Sequence, residues 1–172
     1  VGVFLTAITT GLFCHFVLKI SFWESILIGS VISSTDAASV FSILRSKHLN
    51  LKDNTASLLE VESGSNDPCS YMMTILTLGI MSGDFSGGKL VGTLVLQIGM
   101  GLLIGVVVAL LAEKGLRVVK ISSDGYDTIF VFCVALLAYA VASAIGGNGY
   151  LSTYIAGIIL GNKPLRGKKS LV

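Results

Sequence analysis

The 172-residue chain is 53% apolar and only 13% charged, whereas a soluble domain carries about 25% charged residues. Glycine is frequent, with 20 residues, and the formal net charge is only +2. This composition excludes a soluble single domain and a disordered chain. The small, scattered positive charge also excludes a surface that follows nucleic-acid phosphates. Recurrent apolar stretches instead indicate a polytopic helical membrane protein.

Six apolar segments can be read along the chain as membrane-spanning helices. The sequence therefore predicts an all-α transmembrane bundle of about six spans. The sixth segment is short for a membrane span, because 13 helical residues rise only about 20 Å, less than the ~30 Å hydrocarbon core of a bilayer. The six predicted spans are 1–18, 22–44, 58–82, 90–112, 128–145 and 150–162.

Lysine and arginine are distributed unevenly among the connections between these spans. Ten of the twelve lie in the second connection, the fourth connection and the tail, while Lys19 and Lys89 lie in the first and third. The positive-inside rule places the richer side in the cytoplasm, and the alternation requires the sixth segment to cross. The ten residues are Arg45, Lys47, Lys52, Lys114, Arg117, Lys120, Lys163, Arg166, Lys168 and Lys169.

The chain has the features of a piece of a larger transporter-like protein. It starts at Val1 inside an apolar run and shows no signal-peptide pattern before Lys19. Its three cysteines lie in separate spans without metal or redox spacing, so we expect small buried core residues. They are Cys14, Cys69 and Cys133.

The second predicted span is interrupted near its middle by four consecutive polar residues, Ser33 to Asp36. Serine, threonine and aspartate offer the backbone competing local hydrogen bonds, so the helix can unwind there. Irregular backbone at this depth is tolerated where it lines a cavity or is covered by protein. The alternative is an intact helix whose hydroxyls bond back to their own carbonyls, but this leaves Asp36 unexplained.

The third span carries a polar stripe. Ser63 and Asp67 are four residues apart and Ser63 and Asn66 are three apart, so all three share one helix face. Pro68 removes the backbone donor for the carbonyl of Gly64. Ser70, Thr74 and Thr77 continue the face. This stripe is either one wall of a water-filled path or a packing surface of hydrogen-bonded polar groups. The packing interpretation explains Asp67 poorly.

Most acidic residues lie at span ends or in connections and are predicted to be solvated; among them is Glu113. Asp36 and Asp67, in contrast, fall near mid-depth in adjacent antiparallel spans and can face each other. Two carboxylates in a poorly solvated site favour protonation of one, while a bound cation opposes it. Proton and cation then compete for one site, which gives exchange if that site opens alternately to each side. Oxygen ligands suit a hard alkali cation.

These residues resemble the monovalent cation:proton antiporter superfamily in its NhaP-like branch. The resemblance rests on Thr35-Asp36 in the interrupted helix and on Glu62-Ser63-Gly64-Ser65-Asn66-Asp67 in the next. The runs 146–151 and 156–162 are also similar to a family segment, and the match covers essentially the full chain. Ala37 departs from the proline that many relatives carry there.

The resemblance implies an inverted-repeat antiporter fold, of which residues 1–172 are a fragment, with ion-binding core helices at about 1–82 and further spans at about 90–162. It makes Asp67 the principal cation and proton carrier, supported by Asn66 and Asp36, with Thr35 and Ser63 as oxygen ligands for the cation. Glu62 is expected to support the site by pairing with an arginine in the counterpart half.

At the level of the whole protein, the resemblance implies exchange of Na⁺ or K⁺ for H⁺ without a cofactor. The Asn-Asp pair at 66–67 implies electroneutral exchange. A homodimer embedded in a lipid bilayer, in a bacterial inner membrane, is expected, with no nucleic-acid partner.

Two other functions fit parts of the sequence. An intramembrane aspartyl protease also uses two acids on neighbouring helices, and Tyr126-Asp127 with Gly83-Asp84 is a partial match to its motifs. Glycine is missing at the position of Met81 and both acids are at span ends, so the match is poor. The remaining alternative is a membrane fragment without activity of its own.

Overall fold

The computed structural model describes residues 1–36, 38–47, 55–83, 87–118 and 126–162. The described residues are helical with short connections, in agreement with the predicted all-α class. The chain divides into two compact units, Val1–Leu90 and Val91–Val172. In chain order, the helices are α1 (Gly2–Phe16), α2 (Phe22–Ile32), α3 (Ala38–Ser46), α4 (Thr55–Met81), α5 (Gly87–Val118), α6 (Tyr126–Ala144) and α7 (Gly149–Gly161).

The predicted second span is divided into α2 and α3, and the polar residues Ser33 to Asp36 lie outside both helices. Ser33 ends α2, with its backbone N–H donating to the Gly29 carbonyl. Its hydroxyl donates to the Ser30 carbonyl at 2.7 Å. These short-range bonds are the competition between side chain and helix that the polar run predicts, and the intact-helix alternative is wrong.

Helices α1 and α2 approach each other through glycine. A Cβ added to Gly29 would lie 2.2 Å from the Ala7 carbonyl oxygen and 3.0 Å from the Gly11 nitrogen. A Cβ added to Gly11 would lie 2.9 Å from the Ile26 side chain. The absence of a side chain at these two positions therefore lets the two backbones touch, as small residues do between membrane helices.

Large apolar side chains face outward and small ones face inward. Phe16 is 72% exposed and Val95 is 65% exposed, whereas Ala109 and Ala138 are fully buried. A water-soluble protein buries its large apolar side chains. The reversed distribution is typical of membrane helices, which pack against each other through small residues.

Among the described residues, the segment Gly87–Leu116 of α5 is long and apolar enough by itself to cross a membrane. Four other apolar helices are shorter, at 10–17 residues: Gly2–Phe16, Phe22–Ile32, Thr128–Ala144 and Gly149–Gly161. The count of six spans and the cytoplasmic assignment of the basic connections stay predictions.

In the second unit, α5, α6 and α7 enclose an apolar core that includes Ala109, Ala138 and Ala156. The start of α7 packs closely on α5. A Cβ on Gly101 would lie 2.9 Å from the Asn148 carbonyl oxygen, and one on Gly105 would lie 2.6 Å from the Ser152 carbonyl oxygen. Two glycines four residues apart thus serve packing within one unit.

Two sequence-based expectations about side-chain exposure are wrong. Glu113 is only 7% exposed, so it is not a solvated charge at a span end. Cys133 is exposed and Cys69 is half-buried, while Cys14 alone of the three is buried. The physical reason is the same in each case, because hydropathy locates a span but does not say which helix face meets a neighbour.

Asn148 is fully buried and begins α7. Its Oδ1 accepts a hydrogen bond from the Leu151 backbone N–H at 3.0 Å, and its own backbone N–H donates to the Gln97 carbonyl at 3.0 Å. The side chain therefore caps the helix while the backbone attaches it to α5.

We expect Asn148→Ala to lower the free energy of unfolding by about 1–2 kcal/mol, because it removes a helix cap. Thermal unfolding of the purified protein in detergent measures this loss. Asn162→Ala is the matched control, since Asn162 is exposed at the other end of α7 and its side chain donates to the Ile158 carbonyl in its own helix. Equal melting temperatures for the two variants would contradict the capping role.

Candidate cation-binding site

The polar stripe of α4 faces the break between α2 and α3. Ser63, Asn66, Asp67 and Ser70 occupy relative positions i, i+3, i+4 and i+7, and each of them is hydrogen-bonded to a residue between 30 and 35. This spacing puts all four on one side of the helix. The predicted face is therefore the contact surface for the broken helix.

Thr35 is held twice by α4. Ser63 Oγ donates to its carbonyl oxygen at 3.1 Å, and Asn66 Nδ2 donates to its Oγ1 at 2.8 Å. Asn66 is buried, at 5% exposure. A hydroxyl has one proton to donate and two lone pairs, so Oγ1 of Thr35 keeps acceptor capacity while bonded to Asn66.

Asp67 is exposed, and its Oδ1 accepts a hydrogen bond from the Ser34 hydroxyl. An ionised carboxylate offers about four acceptor positions. One hydrogen bond therefore orients the carboxylate and leaves most of its acceptor positions open, so that they could bind a cation. Ser34 was absent from the predicted site residues, although it belongs to the predicted polar run.

Ser70 attaches the end of α2 to α4. Its hydroxyl donates to the Ser30 carbonyl at 2.6 Å, in a buried environment. The same carbonyl accepts from Ser33 Oγ. The last carbonyls of a helix have no partner within it, so the two serines satisfy a group that the helix break leaves open. Ser70 belongs to the predicted polar stripe, whereas Ser30 is a structural part of the site that the sequence did not single out.

The remaining polar positions of the α4 stripe are satisfied within the helix. Thr74 Oγ1 donates to the Ser70 carbonyl at 2.9 Å and Thr77 Oγ1 donates to the Met73 carbonyl at 2.8 Å. This is the packing-stripe interpretation, and it holds for these two threonines. Pro68 is buried inside α4, directly after Asp67.

Asp36 and Glu62 are placed at the edge of this cluster. Asp36 is exposed and ends the described part of the break. Glu62 is exposed on α4, and its Oε1 would lie 3.5 Å from a Cβ on Gly2 at the start of α1. The face-to-face arrangement of Asp36 with Asp67 and the arginine partner for Glu62 stay predictions.

The protease alternative depends on two acids that the structure does not describe at the side-chain level. Asp84 lies outside the described residues, as does the side chain of Asp127. The comparisons with known proteins decide this question instead.

The chain matches the family of sodium/hydrogen exchangers, transmembrane, over residues 1–171. It is similar to a K(+)/H(+) antiporter NhaP2 of Shewanella oneidensis, with 34% identity over 174 residues that cover 99% of this chain and 30% of the relative. It is also similar to a K(+)/H(+) antiporter NhaP of Alkalimonas amylolytica, with 34% identity over 95% of this chain and 29% of the relative. A low-affinity Na(+)/H(+) antiporter NhaS1 of Synechocystis is 29% identical over 79% of this chain and 25% of its own length.

The chain belongs to the sodium/hydrogen exchanger family and is an integral membrane protein. Its relatives are named as antiporters, which are transporters and not enzymes, so the protease alternative is set aside. The chain spans about 30% of the length of the curated relatives it matches. The resemblance to the NhaP-like branch is confirmed.

Proposed function

We propose that the protein exchanges a monovalent cation, Na⁺ or K⁺, for H⁺ across the membrane at Asp67. The observation that carries this proposal is the hydrogen-bonded contact between the α4 stripe and the helix break, with the Asp67 carboxylate held by Ser34. The names of the relatives, two K⁺/H⁺ antiporters and one Na⁺/H⁺ antiporter, support the class of exchange.

The chemistry of exchange follows from the competition of two ligands for one carboxylate. A proton neutralises Asp67, and so does a cation bound by the carboxylate together with the oxygens of Thr35 and Ser63. An ionised acid at bilayer depth is costly, so the site is stable when one of the two is bound. Alternating access of this site to the two sides then couples the two fluxes.

Asn66 and Asp36 take supporting roles in this proposal. Asn66 orients the Thr35 hydroxyl through the bond at 2.8 Å. Asp36 adds negative charge at the break, which attracts a cation. Glu62 supports the site from the preceding turn of α4. We further propose a homodimer in a bacterial inner membrane as the setting of this exchange, with Na⁺ or K⁺ and H⁺ as its substrates and no cofactor.

The exchange is tested in proteoliposomes that hold the full-length protein and a pH-sensitive dye with an imposed pH gradient. Addition of NaCl or KCl should release protons and restore dye fluorescence, whereas choline chloride should not. Electroneutral exchange predicts that collapse of the membrane potential leaves the rate unchanged. Equal responses to choline and alkali cations would contradict the proposed function.

A further inference from the structure

Three residues of the break, Ser33, Ser34 and Thr35, make different hydrogen bonds. Ser33 bonds back to the Ser30 carbonyl at the end of α2. Thr35 is held by Ser63 and Asn66. Ser34 contacts the carboxylate of Asp67 itself, through Oδ1.

We propose that Ser34 is a positioning residue. Its hydroxyl orients the Asp67 carboxylate toward the bound cation. This inference rests on the proposed function and goes beyond it, because the family motif does not include Ser34. The hydroxyl holds one carboxylate oxygen against the break. The other carboxylate oxygen keeps its acceptor capacity, and Asp67 is exposed.

The geometry explains why such a residue is useful here. Asp67 is exposed on α4, so its carboxylate has rotational freedom unless a partner restricts it. A hydrogen bond to an ionised group is stronger than one between neutral groups, so a single hydroxyl is sufficient. The Ser34 oxygen keeps its own lone pairs while it donates.

The charged groups of the break, of α4 and of the helices in contact with α4 do not replace this contact. Asp36 on the break and Glu60 and Glu62 on α4 are acidic and cannot donate to a carboxylate when ionised. On the elements packed against α4, Glu24 lies in the first turn of α2 and His15 lies near the end of α1, where its Nδ1 contacts the Ile20 carbonyl. Orientation of Asp67 is therefore assigned to the hydroxyl.

The test compares Ser34→Ala with Ser34→Thr in full-length protein in proteoliposomes, with initial rates measured over a range of NaCl and KCl concentrations. We expect the alanine variant to raise the apparent KM for the cation about tenfold, the factor of one hydrogen bond to a charged group, and to retain the maximal rate. Threonine keeps the hydroxyl and should restore the KM. Ser65→Ala is the matched control, because Ser65 Oγ donates to the Glu62 carbonyl in its own helix.

The outcomes separate this role from a structural one. An unchanged KM in Ser34→Ala would overturn the proposal, and so would a lost maximal rate with unchanged KM that threonine does not restore. Ser34→Cys keeps the size of the side chain with a weak donor, and its raised KM supports the proposal even where the alanine variant does not insert. Absence of exchange in the unsubstituted protein would overturn the proposed function and this role together.

Discussion

Asp67→Ala is expected to abolish cation-dependent proton release in proteoliposomes, with a loss of at least about a hundredfold. A charge near the bilayer centre costs about 3 kcal/mol when it is not compensated by an opposite charge. Loss of that compensation corresponds to about a hundredfold weaker binding of the cation. Under the proposed function, Asp67→Ala removes the carboxylate that binds the cation. The proton loses its carrier at the same time, so both directions of exchange fail.

The structure indicates that this loss does not come from misfolding. Asp67 is exposed, and the bond described for its side chain is the one from Ser34. We therefore expect Asp67→Ala and the isosteric Asp67→Asn to reach the membrane in normal amounts and to melt at nearly the normal temperature. Glu24→Ala is the matched control, because it removes an exposed acid from the first turn of α2, away from the break. Proton release that survives Asp67→Ala would disprove the site assignment.

The second large effect is expected for Gly29→Ala, which should lower the free energy of unfolding by about 3 kcal/mol or more, the upper range for overpacking. The added Cβ would lie 2.2 Å from the Ala7 carbonyl oxygen. Neither atom can move away by rotation of a side chain, because the oxygen belongs to the backbone and the Cβ is bonded directly to it. Helices α1 and α2 must therefore separate. Because α2 ends at the break four residues later, we also expect reduced exchange. The melting temperature in detergent and the transport rate measure the two effects.

Gly92→Ala provides the control for the Gly29 substitution. A Cβ on Gly92 would meet nothing within 4 Å, and alanine favours the helix over glycine. This variant should be as stable as the unsubstituted protein or slightly more stable. An equal loss of stability in both variants would show that close backbone contact is not the cause.

The α4 side of the site could be predicted well from the sequence. Helical spacing alone places Ser63, Asn66 and Asp67 on one face, and the structure brings that face to the break. The break itself could also be predicted, because four consecutive polar residues compete with the helix for its hydrogen bonds. Local sequence determines both features, since each depends on residues within one or two turns.

The contacts across the break could not be predicted in the same way. Residues 33–36 follow no helical period, so spacing does not say that Ser34 meets Asp67 while Thr35 meets Asn66 and Ser63. The role of Ser30 was also hidden, because a backbone carbonyl carries no sequence signal.

The sequence by itself determined a helical membrane protein, the position of the helix break and the face of α4 that carries Asp67. It could do so because lipid requires long apolar helices and makes each interruption or charge costly. The tertiary structure decided which hydroxyl contacts Asp67, and where glycine lets α1 and α2 touch. These features depend on the relative placement of helices that are distant in sequence, which hydropathy and helical period do not specify.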